Sequence, residues 1–404
     1  MWTGANLPLA IFAACMAICA PAQAGDWLVN SHIGETFEAN DNIQQVPKSP
    51  GDAFGSITNF SFDALNNTPT LAVGFGTDLA FREYGGDGAQ SSLDGFQGDA
   101  RASLEKKTKL TDYHLNGSWA RAPAAVSELT DSGILAANTT TTSYLANGGL
   151  QHQLNDLNAL GWSATGTSVN FSNDDAGLIP YNDVVMTESW IRNLSPITNF
   201  TASLSTQWYQ ADNEFNTRSL IQSLTGQIDT LLTNRLKLMA RAGGGVIRTD
   251  EDFFAGSTEA DISDTSGNFV GGVDLAYELK NTTITATASH DFAPSSLGEV
   301  QDRTEVGLGI DHRINERTGL LLSGQFYDQA PSTSAPAQSN DREAMILSLT
   351  FTRELIRDWD LLVRYQFVQQ DLNTDQFVPF SFDDGSSTSN AVFVTLNRNL
   401  HLLQ

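Results

Sequence analysis

The sequence predicts an all-β chain: a closed antiparallel transmembrane β-barrel of about 18 strands (16–18), with short periplasmic turns and long acidic extracellular loops. Three observations predict it. Apolar and polar residues alternate with period two over segments of roughly ten to thirteen residues, the length a tilted strand needs to cross hydrocarbon. Aromatic residues, among them Trp119, Trp208, Tyr277, Phe326, Trp359 and Phe367, stand towards the ends of the apolar faces, where interface girdles belong. The connections alternate between short and long, which a soluble β-sandwich has no reason to do.

The alternation is clearest in four places. Leu71, Val73, Phe75, Leu79 and Phe81 alternate with Ala72, Gly74, Gly76, Asp78 and Arg82. Phe269, Val273, Leu275 and Tyr277 alternate with Gly272, Asp274, Ala276 and Glu278. Met345, Leu347, Leu349 and Phe351 oppose Ser348, Thr350 and Thr352, and Trp359, Leu361, Val363, Tyr365 and Phe367 alternate with Asp360, Leu362, Arg364, Gln366 and Val368. Successive strand side chains point to opposite faces, so each segment has an apolar side for lipid and a polar side for a lumen. Segments 143–154 and 184–194 alternate weakly.

Short connections fall at Asn66-Asn67-Thr68-Pro69, Lys106-Lys107-Thr108-Lys109, Asn155-Asp156-Leu157-Asn158, Leu194-Ser195-Pro196, Thr233-Asn234, Lys280-Asn281, Asn315-Glu316-Arg317 and Arg357-Asp358. Longer polar links fall at 40–51, 85–94, 122–138, 173–180, 212–216, 249–266, 293–302, 329–341 and 372–389. An even strand count leaves both termini in the periplasm. Gly243-Gly244-Gly245 falls within a strand and marks a bend or a close approach of backbone, not a phosphate cradle.

At the start of the chain an apolar run over 7–20 is followed by Ala22-Gln23-Ala24, the small-x-small pattern a signal peptidase reads. This predicts a signal peptide over 1–24 and the barrel domain over 25–404, although no Lys or Arg precedes the apolar run. Both cysteines, Cys15 and Cys19, lie in that leader. The exported chain then has no thiol, which excludes disulfides, thiolate metal sites and cysteine nucleophiles.

The formal net charge is −25, and no basic stripe exists to neutralise phosphates, so nucleic acid is excluded as a partner. The charge is sorted. Lys106, Lys107, Lys109, Arg235, Lys280, Arg317 and Arg357 gather at the short turns, whereas Asp250-Glu251-Asp252, Glu259, Asp261, Asp264 and Asp383-Asp384 crowd the long links. Pore-lining candidates are Asp78, Arg82, Asp99, Arg101, Arg235, Lys237, Arg241, Asp274, Glu305, Asp360 and Arg364. Charges of both signs on an inner face either tune selectivity or brace the wall as cross-strand pairs. Arg235, Lys237 and Arg241 form the one same-sign row.

No enzyme is expected. His32, His114, His152, His290, His312 and His401 are scattered, with no paired metal-binding spacing and no Gly-x-Ser-x-Gly turn. No catalytic residue, metal site or cofactor is predicted.

The first strand ends in Gly34-Glu35-Thr36-Phe37-Glu38-Ala39-Asn40-Asp41-Asn42-Ile43, followed by a polar link and Gly51-Asp52-Ala53-Phe54. An opening strand that closes on an Asn-Asp-Asn-Ile tetrad resembles the outer-membrane β-barrel porins of Gram-negative bacteria, most of all those associated with exopolysaccharide and PEP-CTERM/exosortase loci. The resemblance implies an outer-membrane location and a role in passing or exporting polysaccharide or small solutes. No catalytic residue carries over. On physical grounds Asn40-Asp41-Asn42 makes Asx-type turns where a strand leaves the membrane. The last strand departs from the pattern of bacterial barrels: Arg398 interrupts its alternation, and the chain does not end on an aromatic residue.

These readings lead to a porin-like channel for small solutes or for polysaccharide passage. The alternative is a non-conducting envelope protein whose acidic loops bind glycan or surface polymer, with the lumen plugged by an inward-folded link at 122–138, 249–266 or 372–389. The expected partners are outer-membrane lipid and lipopolysaccharide, the barrel-assembly machinery, and polysaccharide or export components.

Overall fold

The computed structural model describes residues 27–89, 93–131, 139–173, 177–213, 216–255, 258–332, 340–374 and 385–403. The expected leader over 1–24, with Cys15 and Cys19, and the pair Asp383-Asp384 lie outside the described residues. Eighteen strands follow one another along the chain. They are β1 (Trp27–Asn40), β2 (Ala53–Asn67), β3 (Leu71–Gly85), β4 (Gly95–Lys107), β5 (Thr111–Pro123), β6 (Thr140–Asn155), β7 (Asn158–Phe171), β8 (Tyr181–Ser195) and β9 (Thr198–Ala211). The second half is β10 (Arg218–Thr233), β11 (Leu236–Ala255), β12 (Thr258–Glu278), β13 (Thr282–Pro294), β14 (Val300–Asn315), β15 (Thr318–Pro331), β16 (Asn340–Ile356), β17 (Trp359–Thr374) and β18 (Gly385–Leu403). Each pairs antiparallel with its neighbours in sequence, and β1 pairs with β18, so the sheet closes on itself.

Closure is what lets β-structure cross a membrane, because an open edge would leave backbone N–H and C=O groups unpaired in lipid. No helix among the described residues is long and apolar enough to cross a membrane. The outer surface is a belt of exposed Leu, Val, Ile and Phe side chains, including Leu224, Val273, Leu308, Leu347, Leu349 and Val394. Aromatic residues rim the belt at both ends. Trp27 stacks on Phe75 with centroids 6.4 Å apart, and Trp190 meets Phe200 edge-on at 6.2 Å near the short turns. Phe37, Phe54, Phe81, Phe96 and Trp208 stand exposed nearer the long loops.

Belt residues at mid-strand face the apolar centre of the bilayer, where an arginine costs about 2–4 kcal/mol. Leu349→Arg is therefore expected to lower the folding free energy in lipid vesicles by about that amount in a denaturant titration. Two outward carboxylates interrupt the belt, Glu35 and Glu188. Glu35 is held by hydroxyl donors on β2: Ser56 Oγ gives to Oε1 at 2.5 Å and Thr58 Oγ1 to Oε2 at 2.8 Å.

Two expectations need correcting. The strands run from 13 to 21 residues, longer than the alternating segments suggest. The link expected over 249–266 is not a loop but a continuing ladder, in which Thr249 pairs with Asp264 and Ala255 with Thr258. Outside hydrocarbon the apolar/polar contrast disappears while backbone pairing goes on, so the pattern stops before the strand does. Segments 143–154 and 184–194 are regular strands all the same. In β6 the outward positions include Ala146 and Gly148, and in β8 they include Glu188 and Arg192, which erases the contrast.

The long β11–β12 hairpin extends beyond the next strand, since β12 meets β13 over Gly271–Glu278 alone among the described residues. On the extension the Thr265 N–H is capped by Asp264 Oδ1 at 2.7 Å and the Phe269 N–H by Asn268 Oδ1 at 2.8 Å. Capping by the preceding side chain blunts an edge that would otherwise recruit another strand. Gly243 makes the close approach expected of it, because a Cβ there would strike the Leu224 carbonyl and Thr225.

The Asn40-Asp41-Asn42 tripeptide forms the expected Asx turn: the Asn42 N–H donates to Asn40 Oδ1 at 3.0 Å. It also fastens the seam. Asp41 accepts from the Asn390 N–H at 2.7 Å and from Asn390 Nδ2 at 2.8 Å, and Asn40 Oδ1 accepts from Ser389 Oγ at 2.9 Å. The first and last strands are thus joined by side chains just where their ladder ends.

Candidate functional site

Inward residues follow from the register: His32 opposes Ser61, Ser61 opposes Asp78, Asp78 opposes Asp99, and so on round the wall. On this inner face Asp78, Arg82, Asp99, Arg101, Lys237, Arg241, Asp274, Glu305, Asp360 and Arg364 all take inward positions. Arg235 does not. It stands exposed in the short turn between β10 and β11, so the same-sign row does not form. Arg241 is moreover paired, donating from Nη2 to both carboxylate oxygens of Asp291 at 2.8 and 2.7 Å.

The lumen is narrowed by the segment that follows β5. Pro123 ends the strand, with φ −57° and no N–H to extend the ladder. The chain then makes a single helical turn, α1 (Ala124–Ser127), and a 3-10 turn over Glu128–Thr130. This strap leaves the wall at β5–β6, where Ser127 Oγ meets Thr141 Oγ1 at 2.6 Å. It ends against β14 and β16, where Arg303 Nη1 donates to the Thr130 carbonyl at 3.0 Å and Arg342 Nη2 to the Leu129 carbonyl at 2.6 Å. In an 18-strand ring these two places lie on opposite sides, so the strap crosses the lumen. Glu128, buried, accepts from Ser296 Oγ at 2.6 Å in the β13–β14 loop, which also folds inward.

On one side of the strap the lumen is filled. Val169, Phe171, Tyr181, Tyr209, Ile221, Ile247 and Val300, from six strands of the β7–β14 arc, pack with Leu178 and Ala124 into a buried apolar core. Tyr181 and Tyr209 lie 5.5 Å apart, and the Tyr209 hydroxyl donates to the Ser295 carbonyl at 2.9 Å. Apolar residues on an inner wall gain from burial only if something covers them. Here the inward loops and the strap do so, and that arc is sealed in its long-loop half.

On the other side the described residues line four cavities. Beside the strap is a cavity of about 150 Å³, lined by Glu38, Arg82, Tyr84, Arg364 and Phe393 on the wall and by Ala125, Val126 and Leu129 on the strap. Arg82 also lines the next cavity down, about 340 Å³, with Asp78 and Asp99. Two residues further along the same strands, Asp63 and Arg101 line one of about 490 Å³. That space shares Leu65 and Ser103 with a fourth, of about 580 Å³, at the short-turn rim beside Glu105 and Lys107. The four follow one another along the arc that runs from β17 across the β1–β18 seam to β6, from the strap to the short-turn rim.

The charge changes sign along this run of cavities. Beside the strap two guanidiniums face one carboxylate. Tyr84 accepts from Arg82 Nη1 at 3.1 Å and donates to Glu38 Oε2 at 2.6 Å, while the Arg364 guanidinium lies 4.1 Å above the Phe393 ring. Lower down, Arg101 is shared by Asp63 at 2.8 Å, Asp78 at 2.6 Å and Asp99 at 3.2 Å, which leaves that group net negative. These side chains are about half exposed, so each pair adds at most about 1 kcal/mol to stability and their charge remains available to a solute.

Of the expected residues, Asp78, Arg82, Asp99, Arg101 and Arg364 come together along this run of cavities. Lys237, Arg241, Asp274 and Glu305 lie on the opposite wall, and Asp360 lies near the short turns, accepting from Asn399 Nδ2 at 2.7 Å. Sequence reasoning missed Glu38, Tyr84, Arg303 and Arg342. It also missed the apolar core, although a signal existed: Trp208-Tyr209, Leu220-Ile221 and Val246-Ile247 are apolar on both faces at the long-loop ends of their strands.

No protein-family model matches this chain, and no curated protein matches it. Among solved structures it is similar to OccK2 (OpdF) of Pseudomonas aeruginosa, crystallised in complex with glucuronate, at 10% identity and TM-score 0.47, covering 94% of this chain and 100% of that one. It is similar to a BenF-like porin from Pseudomonas fluorescens Pf-5, at 11% identity and TM-score 0.48, covering 93% and 99%. Acinetobacter baumannii OccAB2 matches at 8% identity and TM-score 0.48, covering 93% and 98%.

Proposed function

We propose that this barrel is a passive outer-membrane channel for small polar solutes. The observation that supports it is the run of cavities along one arc of the lumen, each lined in part by charged side chains: Glu38, Arg82 and Arg364 beside the strap, Asp78 and Asp99 next, then Asp63 and Arg101, and Glu105 and Lys107 at the short-turn rim. The strap across the lumen and the apolar core packed beside it leave only part of the ring for solute, which favours small solutes over a threaded polysaccharide. Purified protein in planar bilayers is expected to give discrete conductance steps; their absence at every voltage and salt concentration would overturn the reading.

In this reading the charged groups of these cavities set ion preference. Neutralising Asp63, Asp78 and Asp99 together to Asn is expected to move the reversal potential in a salt gradient towards anions. Arg82→Gln with Arg364→Gln is expected to move it further, and towards cations. The second shift is the larger because the space beside the strap admits few screening ions, whereas charges lower down are screened within about 8 Å at physiological salt. Equal potentials in all three proteins would show that solute does not pass these groups.

A further inference from the structure

Arg342 is 3% exposed, and its side chain points into the lumen from the long-loop half of β16. A buried guanidinium is costly unless its donors find acceptors. Here the acceptors are neutral oxygens. Nη2 donates to the Leu129 carbonyl at 2.6 Å and to Gln370 Oε1 at 3.5 Å; Nη1 donates to the Asp131 carbonyl at 2.9 Å and to Gln329 Oε1 at 3.1 Å. The two carbonyls stand at the end of the strap's 3-10 turn over Glu128–Thr130. Gln370, on β17, uses its amide nitrogen to hold the Gln45 carbonyl at 3.1 Å, and Gln45 has a left-handed backbone with φ +50° in the β1–β2 link. Wall, strap and a second loop therefore meet at one side chain.

We propose that Arg342 is the pin that holds the strap across the lumen and so sets the aperture of the channel. The inference rests on the channel reading above. Arg342 does not line the cavity beside the strap; it acts through the strap as a positioning residue. The chemistry needs arginine. A planar fork reaches two carbonyls and two wall amides at once, whereas a lysine ammonium is a compact point donor that cannot span them. Other strap contacts fall on the Thr130 carbonyl, from Arg303, and on the Glu128 and Asp131 carboxylates, from Ser296, whereas the Leu129 and Asp131 carbonyls accept from Arg342.

The test compares Arg342→Met and Arg342→Lys with the parent protein in two measurements. Heat-modifiable gel migration first selects the variants whose barrel folds. In planar bilayers Arg342→Met is expected to raise the conductance about twofold or more, with added fluctuation between levels, and Arg342→Lys to fall between it and the parent. Separately, a cysteine introduced as Val126→Cys on the strap is labelled by a bulky water-soluble maleimide, with the same protein lacking that cysteine correcting for Cys15 and Cys19. Labelling is expected to be slow in the parent and at least tenfold faster with Arg342→Met. Unchanged labelling and unchanged conductance in either folded variant would overturn the pin. Faster labelling in a protein that never conducts would keep the pin and overturn the channel.

Discussion

Replacing residues 124–131 with a Gly/Ser linker of the same length is expected to raise the single-channel conductance severalfold, the largest change any short segment of this protein should produce. Conductance of a pore is dominated by its narrowest section, and the strap lies across the lumen with Ala125, Val126 and Leu129 facing the cavity beside it. The linker has none of these side chains and no helical preference to rebuild them. It also lacks Glu128, whose contact with Ser296 Oγ at 2.6 Å draws the β13–β14 loop towards the strap. The barrel should survive, because its wall is closed by ladders that do not involve the strap. Migration on a detergent gel before and after heating checks that, and planar-bilayer recording reads the conductance. An unchanged value would mean that the narrow point lies elsewhere.

The second large effect is expected from pH. Burial, reinforced by the nearby Glu128 carboxylate, pushes the Asp131 carboxyl up to about 7, against the opposing influence of the Ser296 donors and Arg303. Burial likewise pushes Glu299, in the β13–β14 loop, up to about 8, with Glu251 and Asp341 adding to the rise and the Gln301 amide opposing it. Once the strap or loop swings into water, both carboxyls return to the ordinary carboxylate range. A group whose value is raised in the docked state favours docking while it is protonated, and that contribution is lost as it ionises. Docking is therefore firmest below about pH 4. It weakens progressively up to about 7 for Asp131 and about 8 for Glu299. Conductance should be lower at pH 5 than at pH 8. Asp131→Asn with Glu299→Gln should flatten the profile at the low-conductance level, since neither amide ionises. A double variant that kept the full pH dependence would place its origin in other groups.

How much of this was legible beforehand can be judged residue by residue. Asp78, Arg82, Asp99, Arg101 and Arg364 were readable as inward residues because period-two alternation against a lipid-facing side leaves no other direction for them. The Asx turn at Asn40 was readable because it is made within three residues. Arg235 was misread, since a turn residue next to an alternating segment carries the same phase without being part of the strand. The 249–266 link was misread because strand pairing above the membrane is held by backbone bonds, and these are blind to the polarity of Asp250, Glu251 and Asp252. The apolar pairs such as Val246-Ile247 were visible in the sequence, but a residue apolar on the lumen side has meaning only when its cover is known.

The sequence by itself determined the closed barrel, a strand number of about 18, which face of most strands meets lipid, and, Arg235 apart, which of the named charges face inward. All of these follow from local rules: alternation, turn chemistry and the need to satisfy every backbone group in hydrocarbon. Only the tertiary structure decided where the strap and the inward loop cover the inner wall. That choice depends on contacts between residues far apart in the chain, Arg342 with Leu129 and Asp131, Ser296 with Glu128, Tyr209 with Ser295. Nothing in the local pattern of an arginine on a strand, or of a polar link after a proline, says which opposite wall it will meet. The fold brings them together, and with them the strap across the lumen that gives the inward charges their consequence.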